Sequence, residues 1–191
     1  MNEECSDQTK KTAENWLHGD LTKEQLIARI IRVDHAGEYG AKRIYQGQLA
    51  VLGNSSVGDT IREMEAHEQH HLDTFDQLLV ERRVRPTVLT PFWHVAGFAL
   101  GAVTAMMGKR AAMACTVAVE EVIEEHYYNQ AKQLGEDESE LRKTIEKFAE
   151  EEAHHKDTGL EHEAELAPAY KVLSKAIKSG TKVAIWLSER I

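Results

Sequence analysis

Cysteine is scarce in this sequence, since Cys5 and Cys115 are the only two among 191 residues. A disulfide framework needs several pairs, so this count fits a reducing compartment. Because no CxxC pair occurs, the sequence also excludes a thiolate-bound iron or zinc centre and a rubredoxin-type redox module. We expect Cys115, which lies in an apolar run, to be a core residue.

Basic residues are outnumbered. Lys and Arg number 23 against 32 Asp and Glu, which gives a net charge of -9 and argues against a nucleic-acid partner. The first 20 residues match neither a secretory signal nor an Arg-rich transit peptide, so a protein that worked in an organelle would be a processed or trimmed form. We divide the chain into an N-terminal tail, 1–21, and one domain, 22–191, which is long enough to bury a core without a structural metal.

Proline is rare too, at positions 86, 91 and 168. Between the prolines a 3.6-residue hydrophobic period runs almost unbroken, and no strand pattern competes with it. The sequence therefore predicts an all-α chain. The helices are predicted near 22–52, 57–82, 93–108, 111–134, 137–165 and 169–189, and the last of them is an ordinary amphipathic packing helix.

One segment lacks charge altogether, because no Asp, Glu, Lys or Arg occurs from Pro86 to Gly108. Its helix could lie in a membrane interface, anchored by Trp93 and the flanking Arg and Lys residues. The second reading is that it packs against the protein core. A membrane span is a third reading, although the prolines, His94 and three glycines interrupt the run of about 20 apolar residues that a span needs.

Acidic residues fall on apolar helix faces in the first half of the chain. Glu38 lies in line with Ile31 and Tyr45, and the stripe of the next predicted helix passes through Glu68 and His71. A buried carboxylate is costly unless it is paired or bound to a metal. These residues therefore raise the question of what they meet in the core.

The second half repeats the pattern with a choice of register. The two possible Glu-x-x-His pairs are Glu151 with His154 and Glu152 with His155. Phe148 and its apolar neighbours at helical spacing share a face with the second pair. We therefore expect Glu152 and His155 to point inward.

The preceding helix completes a second copy of the unit. Glu120 lies on its apolar face, whereas Glu121 falls outside that face. Four carboxylates and two imidazoles on four facing helices are typical of the di-iron or di-manganese site of a four-helix bundle. Such ligands suit iron or manganese better than calcium or magnesium. The six predicted ligands are Glu38, Glu68, His71, Glu120, Glu152 and His155.

Each element alone has a plainer reading, because a lone Glu-x-x-His on an acidic helix is usually solvated surface. The metal interpretation depends on the six residues together. The remaining histidines of these helices are predicted as surface groups, namely His35, His67, His70, His154 and His162. Three further residues could hydrogen-bond the ligands, namely Asp34, His126 and Asp157.

Several longer motifs carry a resemblance to a known family. They are "RVDHAGEYGAKRIYQGQLAVLG", "RVRPTVLTPFW", "GFALGA", "AMACTVAVEE", "DTGLEHEAELAPAY" and "LSERI". From about Leu26 to Ile191 the chain resembles the demethoxyubiquinone hydroxylases, which are monooxygenases of the ferritin-like di-iron superfamily. The family's six iron ligands fall on the six positions that periodicity selects, although His154 stands where family members often have a Glu.

The resemblance implies the fold and the chemistry. It implies a ferritin-like four-helix bundle with a duplicated helix pair. An apolar interfacial helix and a C-terminal helix are additional to this bundle. It also implies two iron ions, which with dioxygen and NADH hydroxylate the ring of demethoxyubiquinone. No G-x-G-x-x-G follows a strand, so a Rossmann unit for NADH is excluded, and reduction through the bound quinone is the expected route.

The resemblance further implies a setting. Peripheral contact through about residues 86–119 would place the protein on the matrix side of the mitochondrial inner membrane, or on the cytoplasmic face of a bacterial inner membrane. A lipid-binding protein of the ubiquinone-biosynthesis assembly is the expected partner. The rival readings are a ferritin-like iron oxidase, a quinol oxidase, and a lipid-binding scaffold with a structural metal.

Overall fold

The computed structural model describes residues 21–191, and within that range it contains six α-helices and no strand. The all-α prediction is confirmed. The predicted tail lies outside the described residues except for Leu21. The helices are α1 (Lys23–Leu52), α2 (Gly58–Glu81), α3 (Thr90–Met106), α4 (Lys109–Ala131), α5 (Ser139–Glu161) and α6 (Tyr170–Ser188), with short 3-10 helices at Glu136–Glu138 and Ala164–Leu166.

Local chemistry sets the helix ends. Thr22 opens α1 with a capping box, in which its hydroxyl accepts from the Gln25 amide and the Gln25 side chain accepts from the Thr22 amide. Helix α3 begins before its predicted start because Pro91 lies in the first turn, where a missing N–H costs nothing. Helix α5 ends before its predicted end, and Glu163 then adopts the left-handed region with φ of 63°.

Helices α1, α2, α4 and α5 form a four-helix bundle. The α1–α2 and α4–α5 hairpins face each other, while α3 packs along α1 and α6 packs along α4. The described part of the chain therefore consists of two halves with the same order of three helices. The duplication extends one helix further than the pair predicted from the sequence.

Glycine allows α3 to approach α1 closely. A Cβ atom on Gly101 would collide with the carbonyl of Ile44, and one on Gly47 would collide with the carbonyl of Phe98. This face of α3 is buried, as the core-packing reading predicted. The opposite face exposes large apolar side chains, namely Phe92, Val95, Val103 and Met106.

Trp93 does not stand free on that exposed face. Its side chain is half-buried and its Nε1 donates to the Ser188 hydroxyl, 3.1 Å away. The role of Trp93 as an interfacial anchor therefore stays a prediction, and the structure adds that its indole bonds to the end of α6. Within residues 21–191, no helix combines the length and the apolar character needed to cross a bilayer.

Candidate metal centre

The six predicted ligands meet in the middle of the bundle, and each is at most 1% exposed. Each lies on the inward face of its helix because it follows the same 3.6-residue period as the apolar core. Helices α1 and α4 each supply one glutamate, and α2 and α5 each supply a glutamate with a histidine one turn later. The Glu152 and His155 register is the buried one.

These residues form two overlapping groups. Within each group, one ligand atom from every residue lies within 4.8 Å of the others. Because both groups contain Glu68 and Glu152, two adjacent cations would share these two carboxylates. The first group is Glu38, Glu68, His71 and Glu152, and the second is Glu68, Glu120, Glu152 and His155.

The donor set fits a pair of cations. Both oxygens of Glu68 and one oxygen each of Glu38, Glu120 and Glu152 are buried without a hydrogen-bond partner among residues 21–191. An unpaired buried carboxylate oxygen is costly, and a bound cation removes that cost. Carboxylate oxygen combined with imidazole nitrogen suits iron or manganese.

Both imidazoles turn the same nitrogen inward. His71 Nδ1 lies 3.0 Å from Glu152 Oε1 and 3.4 Å from Glu38 Oε2. His155 Nδ1 lies 3.0 Å from Glu152 Oε2 and 3.2 Å from Glu68 Oε1. Nδ1 is therefore the nitrogen that each histidine can offer to a cation.

The outward nitrogens have unlike partners. His71 Nε2 lies 2.7 Å from a carboxylate oxygen of Glu151, and His155 Nε2 lies 3.1 Å from Nδ1 of His67. Glu151 directly precedes Glu152 in α5, and His67 directly precedes Glu68 in α2. Each of them contacts the candidate ligand histidine of the other half of the fold. The ring of His67 is exposed as predicted, but it also fixes the orientation of a buried imidazole.

Charges within the cluster shift its pKa values. Burial lowers the pKa of both imidazoles, but the facing carboxylates outweigh it and raise the pKa of His71 to about 12 and that of His155 to about 11. Burial raises the pKa of Glu152, but the two imidazoles that face it, His155 and His71, lower it to about 2. Burial also raises the pKa of Glu68 and Glu120 well above the usual value. Protons therefore supply positive charge to the metal-free cluster.

Two buried tyrosines form hydrogen bonds between α1 and α4. Tyr45 donates to Glu120 over 2.7 Å, and Tyr127 donates to Glu38. Each tyrosine follows the glutamate of its own helix by seven residues and contacts the glutamate of the other helix. Sequence reasoning counted both as apolar core, although the repeated Glu-to-Tyr spacing is a signal that could have found them.

The residues predicted to support the ligands lie elsewhere. Asp34 accepts from Gln130 over 2.7 Å, His126 also contacts Gln130, and Asp157 is exposed. Among residues 21–191 none of the three hydrogen-bonds a candidate ligand, so that prediction is wrong.

The other histidines predicted to lie at the surface differ in their exposure. His70 and His154 are exposed, as predicted, and His162 is half-buried. His35 is buried and its Nε2 lies 3.0 Å from Asp76, so the surface prediction is wrong for this residue.

An apolar cavity of about 240 Å³ lies beside the cluster, between α1, α3, α4 and α6. Gly37 and Ala41 line it close to Glu38 on α1, and Val119 lines it next to Glu120 on α4. The cavity therefore brings a space suited to an apolar ligand up to the wall of the candidate metal centre.

An all-α bundle with these two overlapping carboxylate and histidine groups is a bundle of the ferritin-like type. The chain belongs to the family described as Ubiquinone biosynthesis protein COQ7, whose model matches residues 25–188. This confirms the resemblance found in the sequence.

Similar proteins are known from distant organisms. The chain is 59% identical over 172 residues to the NADPH-dependent 3-demethoxyubiquinone 3-hydroxylase, mitochondrial, of Dictyostelium discoideum, covering 88% of this chain and 79% of that protein. It is 57% identical over 183 residues to the 3-demethoxyubiquinol 3-hydroxylase of Rhodospirillum rubrum, covering 95% and 86%. It is 41% identical over 182 residues to the 5-demethoxyubiquinone hydroxylase, mitochondrial, of Saccharomyces cerevisiae, covering 86% and 78%.

Proposed function

We propose that this chain hydroxylates the ring of demethoxyubiquinone with dioxygen, in ubiquinone biosynthesis, at a pair of iron ions. The observation that carries the proposal is the pair of overlapping ligand groups sharing Glu68 and Glu152, in a member of this family. The names of the relatives support it, since they describe hydroxylases of demethoxyubiquinone or of demethoxyubiquinol.

Two iron ions bound here would supply the activation of dioxygen. Glu68 and Glu152 lie within reach of both ion positions, so they would hold the ions side by side. The position next to Glu38 would also use His71, and the position next to Glu120 would use His155. The tyrosines keep Glu38 and Glu120 oriented by hydrogen bonds that an apolar side chain could not make.

The apolar cavity is the proposed site for the quinone ring. Its lining residues exclude water from the space beside Glu38 and Glu120, and a ring bound there would lie close to the reacting centre. The exposed Phe92 of α3 packs edge-on against Trp93, with ring centroids 4.9 Å apart, and Trp93 lines this cavity. We propose that the segment 86–119 rests on the membrane that holds the polyprenyl tail.

The overall reaction puts one oxygen atom on the ring and releases the other as water. A reduced nicotinamide nucleotide supplies two electrons and one proton, and the solvent supplies one further proton. The resemblance predicts NADH, whereas the names of several relatives specify NADPH. We propose that the electrons reach the centre through the bound quinone.

The setting is also a proposal. The mitochondrial relatives support a place at the mitochondrial inner membrane, and the Rhodospirillum rubrum relative supports the bacterial alternative. A lipid-binding protein partner remains a prediction of the family resemblance.

The test is mass spectrometry of the quinone after iron-loaded protein is incubated with demethoxyubiquinone, isotopically labelled dioxygen, and either NADH or NADPH. We expect one labelled oxygen on the ring. The nucleotide that gives the faster hydroxylation is the electron donor. Glu152→Gln should abolish the product, and Glu150→Gln, an exposed neighbour on α5, should leave it unchanged. Nucleotide consumption with an unchanged ring would instead indicate an oxidase, and a Glu152→Gln protein that still supports hydroxylation would indicate a scaffold.

A further inference from the structure

The candidate metal centre has to be filled from solvent, although each of its six ligands is at most 1% exposed. A divalent cation is costly to move through an apolar layer, because other donors must replace the water molecules around it. The side of the bundle that offers such donors at its surface is therefore the side from which an ion can enter.

The side formed by α1 and α4 is closed to an ion. Tyr45 donates to Glu120 there over 2.7 Å and Tyr127 donates to Glu38, so hydroxyl groups already occupy both carboxylates. Helices α3 and α6 pack over these two helices from outside. The cavity between the four helices is lined mainly by apolar side chains, which favour a ring over a cation.

The opposite side of the bundle, between α2 and α5, faces solvent. Helices α3 and α6 lie along α1 and α4, and within residues 21–191 they leave the outer side of α2 and α5 uncovered. The backbones of α2 and α5 lie farther apart than those of α1 and α2, so side chains fill the space between them. We call this boundary the α2–α5 seam and define it by His67, His71, Glu151 and His155.

Two surface residues contact the ligand histidines across the seam. His67 is exposed, and its Nδ1 lies 3.1 Å from His155 Nε2, with the two rings stacked at a centroid distance of 5.3 Å. The Glu151 side chain is 36% exposed, and its Oε2 lies 2.7 Å from His71 Nε2. An imidazole nitrogen and a carboxylate are both donors that bind iron.

The contacts continue from these surface residues to the buried carboxylates. The inward Nδ1 atoms of His71 and His155 each lie 3.0 Å from a different oxygen of Glu152. Each ligand imidazole therefore has a surface donor at its outer nitrogen and a buried carboxylate at its inner nitrogen. An ion that replaces the outer contact is held by a surface residue and a ligand together, so it is never buried without a donor.

We propose that iron enters the metal centre through the α2–α5 seam, where Glu151 and His67 bind the ion first and pass it to His71 and His155. The proposal rests on the metal centre of the proposed function but not on its reaction. The seam lies on the opposite side of the bundle from α3, so it stays in solvent when α3 contacts a membrane. The chain can then be loaded with iron while it is bound to that membrane.

Lys147 places a positive charge at the outer end of the seam. Its Nζ lies 3.3 Å from Glu151 Oε1, and its side chain is 58% exposed. Because the ammonium group competes with an incoming cation for this carboxylate, entry should be faster without it. Among residues 21–191 Lys147 forms no ion pair with a candidate ligand, so its effect on entry is separable from any effect on the ligands.

The test is the rate at which metal-free protein takes up cobalt(II), whose visible absorption changes when carboxylates and imidazoles replace its water ligands. The seam variant combines His67→Gln with Glu151→Gln. We expect its second-order association rate constant, measured by stopped flow at low salt, to fall by about tenfold or more. The matched control combines His70→Gln with Glu150→Gln, which makes the same changes at exposed neighbours on the same two helices and should load like wild type.

Lys147→Gln should act in the opposite direction. We expect association about two to five times faster than in wild type at low salt, with a smaller gain at high salt. The control is Lys143→Gln, one turn earlier on α5, where Lys143 pairs with the exposed Glu140 and its loss should not change the rate. An unchanged or slower rate in Lys147→Gln would contradict a cation entrance at Glu151.

Two further results would overturn the route. One is a wild-type association rate in the seam variant, even with faster release of cobalt, since the two residues would then only orient the ligand histidines. The other is an equal slowing in the seam variant and its matched control. If wild-type protein binds no cobalt, the metal centre of the proposed function fails together with the route, whereas a failure of hydroxylation alone leaves the route standing.

Discussion

At the scale of single residues, the two candidate ligand histidines differ in what orients them. The carboxylate of Glu151 contacts the outward nitrogen of His71, and such a contact makes an imidazole a stronger donor to a cation. The outward nitrogen of His155 contacts the neutral imidazole of His67, which has a smaller effect. The two ion positions are therefore chemically unequal. The position that uses His71 should bind its ion more tightly.

Glu151→Gln tests this inequality. We expect it to weaken binding of one of the two ions by about 10- to 100-fold, and we expect a smaller loss for His67→Gln. Competition with a chelator, read as metal bound per chain, gives both affinities. Glu150→Gln on the same helix serves as control, and equal losses in the two variants would contradict the inequality.

The protons of the metal-free cluster predict a pH dependence. Because the pKa of His71 is about 12 and that of His155 about 11, both imidazoles carry protons at pH 7 that two cations must displace. We expect at least two protons released on loading, and an affinity that rises with pH by about tenfold per unit for each proton. A pH indicator in weak buffer measures the release, and loading without release would refute the assignment.

The sequence predicts part of this site and not the rest, for a physical reason. The positions of the six candidate ligands follow from periodicity within single helices, because each lies in line with apolar residues. The roles of Tyr45, Tyr127 and His67 depend on how one helix is aligned along another. Spacing within one helix does not fix that alignment.

At the scale of helices, the close packing of α3 on α1 depends on glycine residues, which have no side chain. Gly101→Ala would place a Cβ against the carbonyl of Ile44, so we expect a loss of about 1–3 kcal/mol in the free energy of unfolding. Gly180→Ala on α6 meets nothing within 4 Å and should stabilise the protein by up to about 1 kcal/mol. Urea unfolding compares the two, and equal stabilities would contradict this account.

The contact between α1 and α4 has its own test. Tyr127→Phe leaves a buried oxygen of Glu38 without its donor, and we expect the metal-free protein to lose about 1–3 kcal/mol of stability. The exposed neighbour allows a matched control, because Tyr128→Phe removes the same atom at the surface. Equal unfolding midpoints for the two variants would show that the crosswise bond contributes nothing.

Helix positions follow from the sequence more closely than helix ends do. The apolar period places all six helices, whereas the ends depend on local effects such as the acceptance of Pro91 in a first turn and the left-handed backbone at Glu163. These effects involve one or two residues and leave little trace in a periodic pattern.

At the scale of the whole molecule, the exposed apolar face of α3 predicts membrane contact. Phe92 and Val95 are 60% and 66% exposed, so a variant with both changed to Glu should sediment much less with phospholipid vesicles. Val80→Glu on α2, where the valine is 79% exposed, is the control and should sediment like wild type. Unchanged sedimentation of the double variant would reject this face as the contact.

The division of the ligands between the two halves has a consequence for the life of the protein in a cell. Glu38 and Glu152 lie more than half the chain apart, and an ion held by both would act as a reversible cross-link. Binding that favours only the folded chain stabilises it by mass action. Iron starvation would then reduce the folded population as well as the catalytic rate, and proteolysis would make the abundance of this protein follow the iron supply.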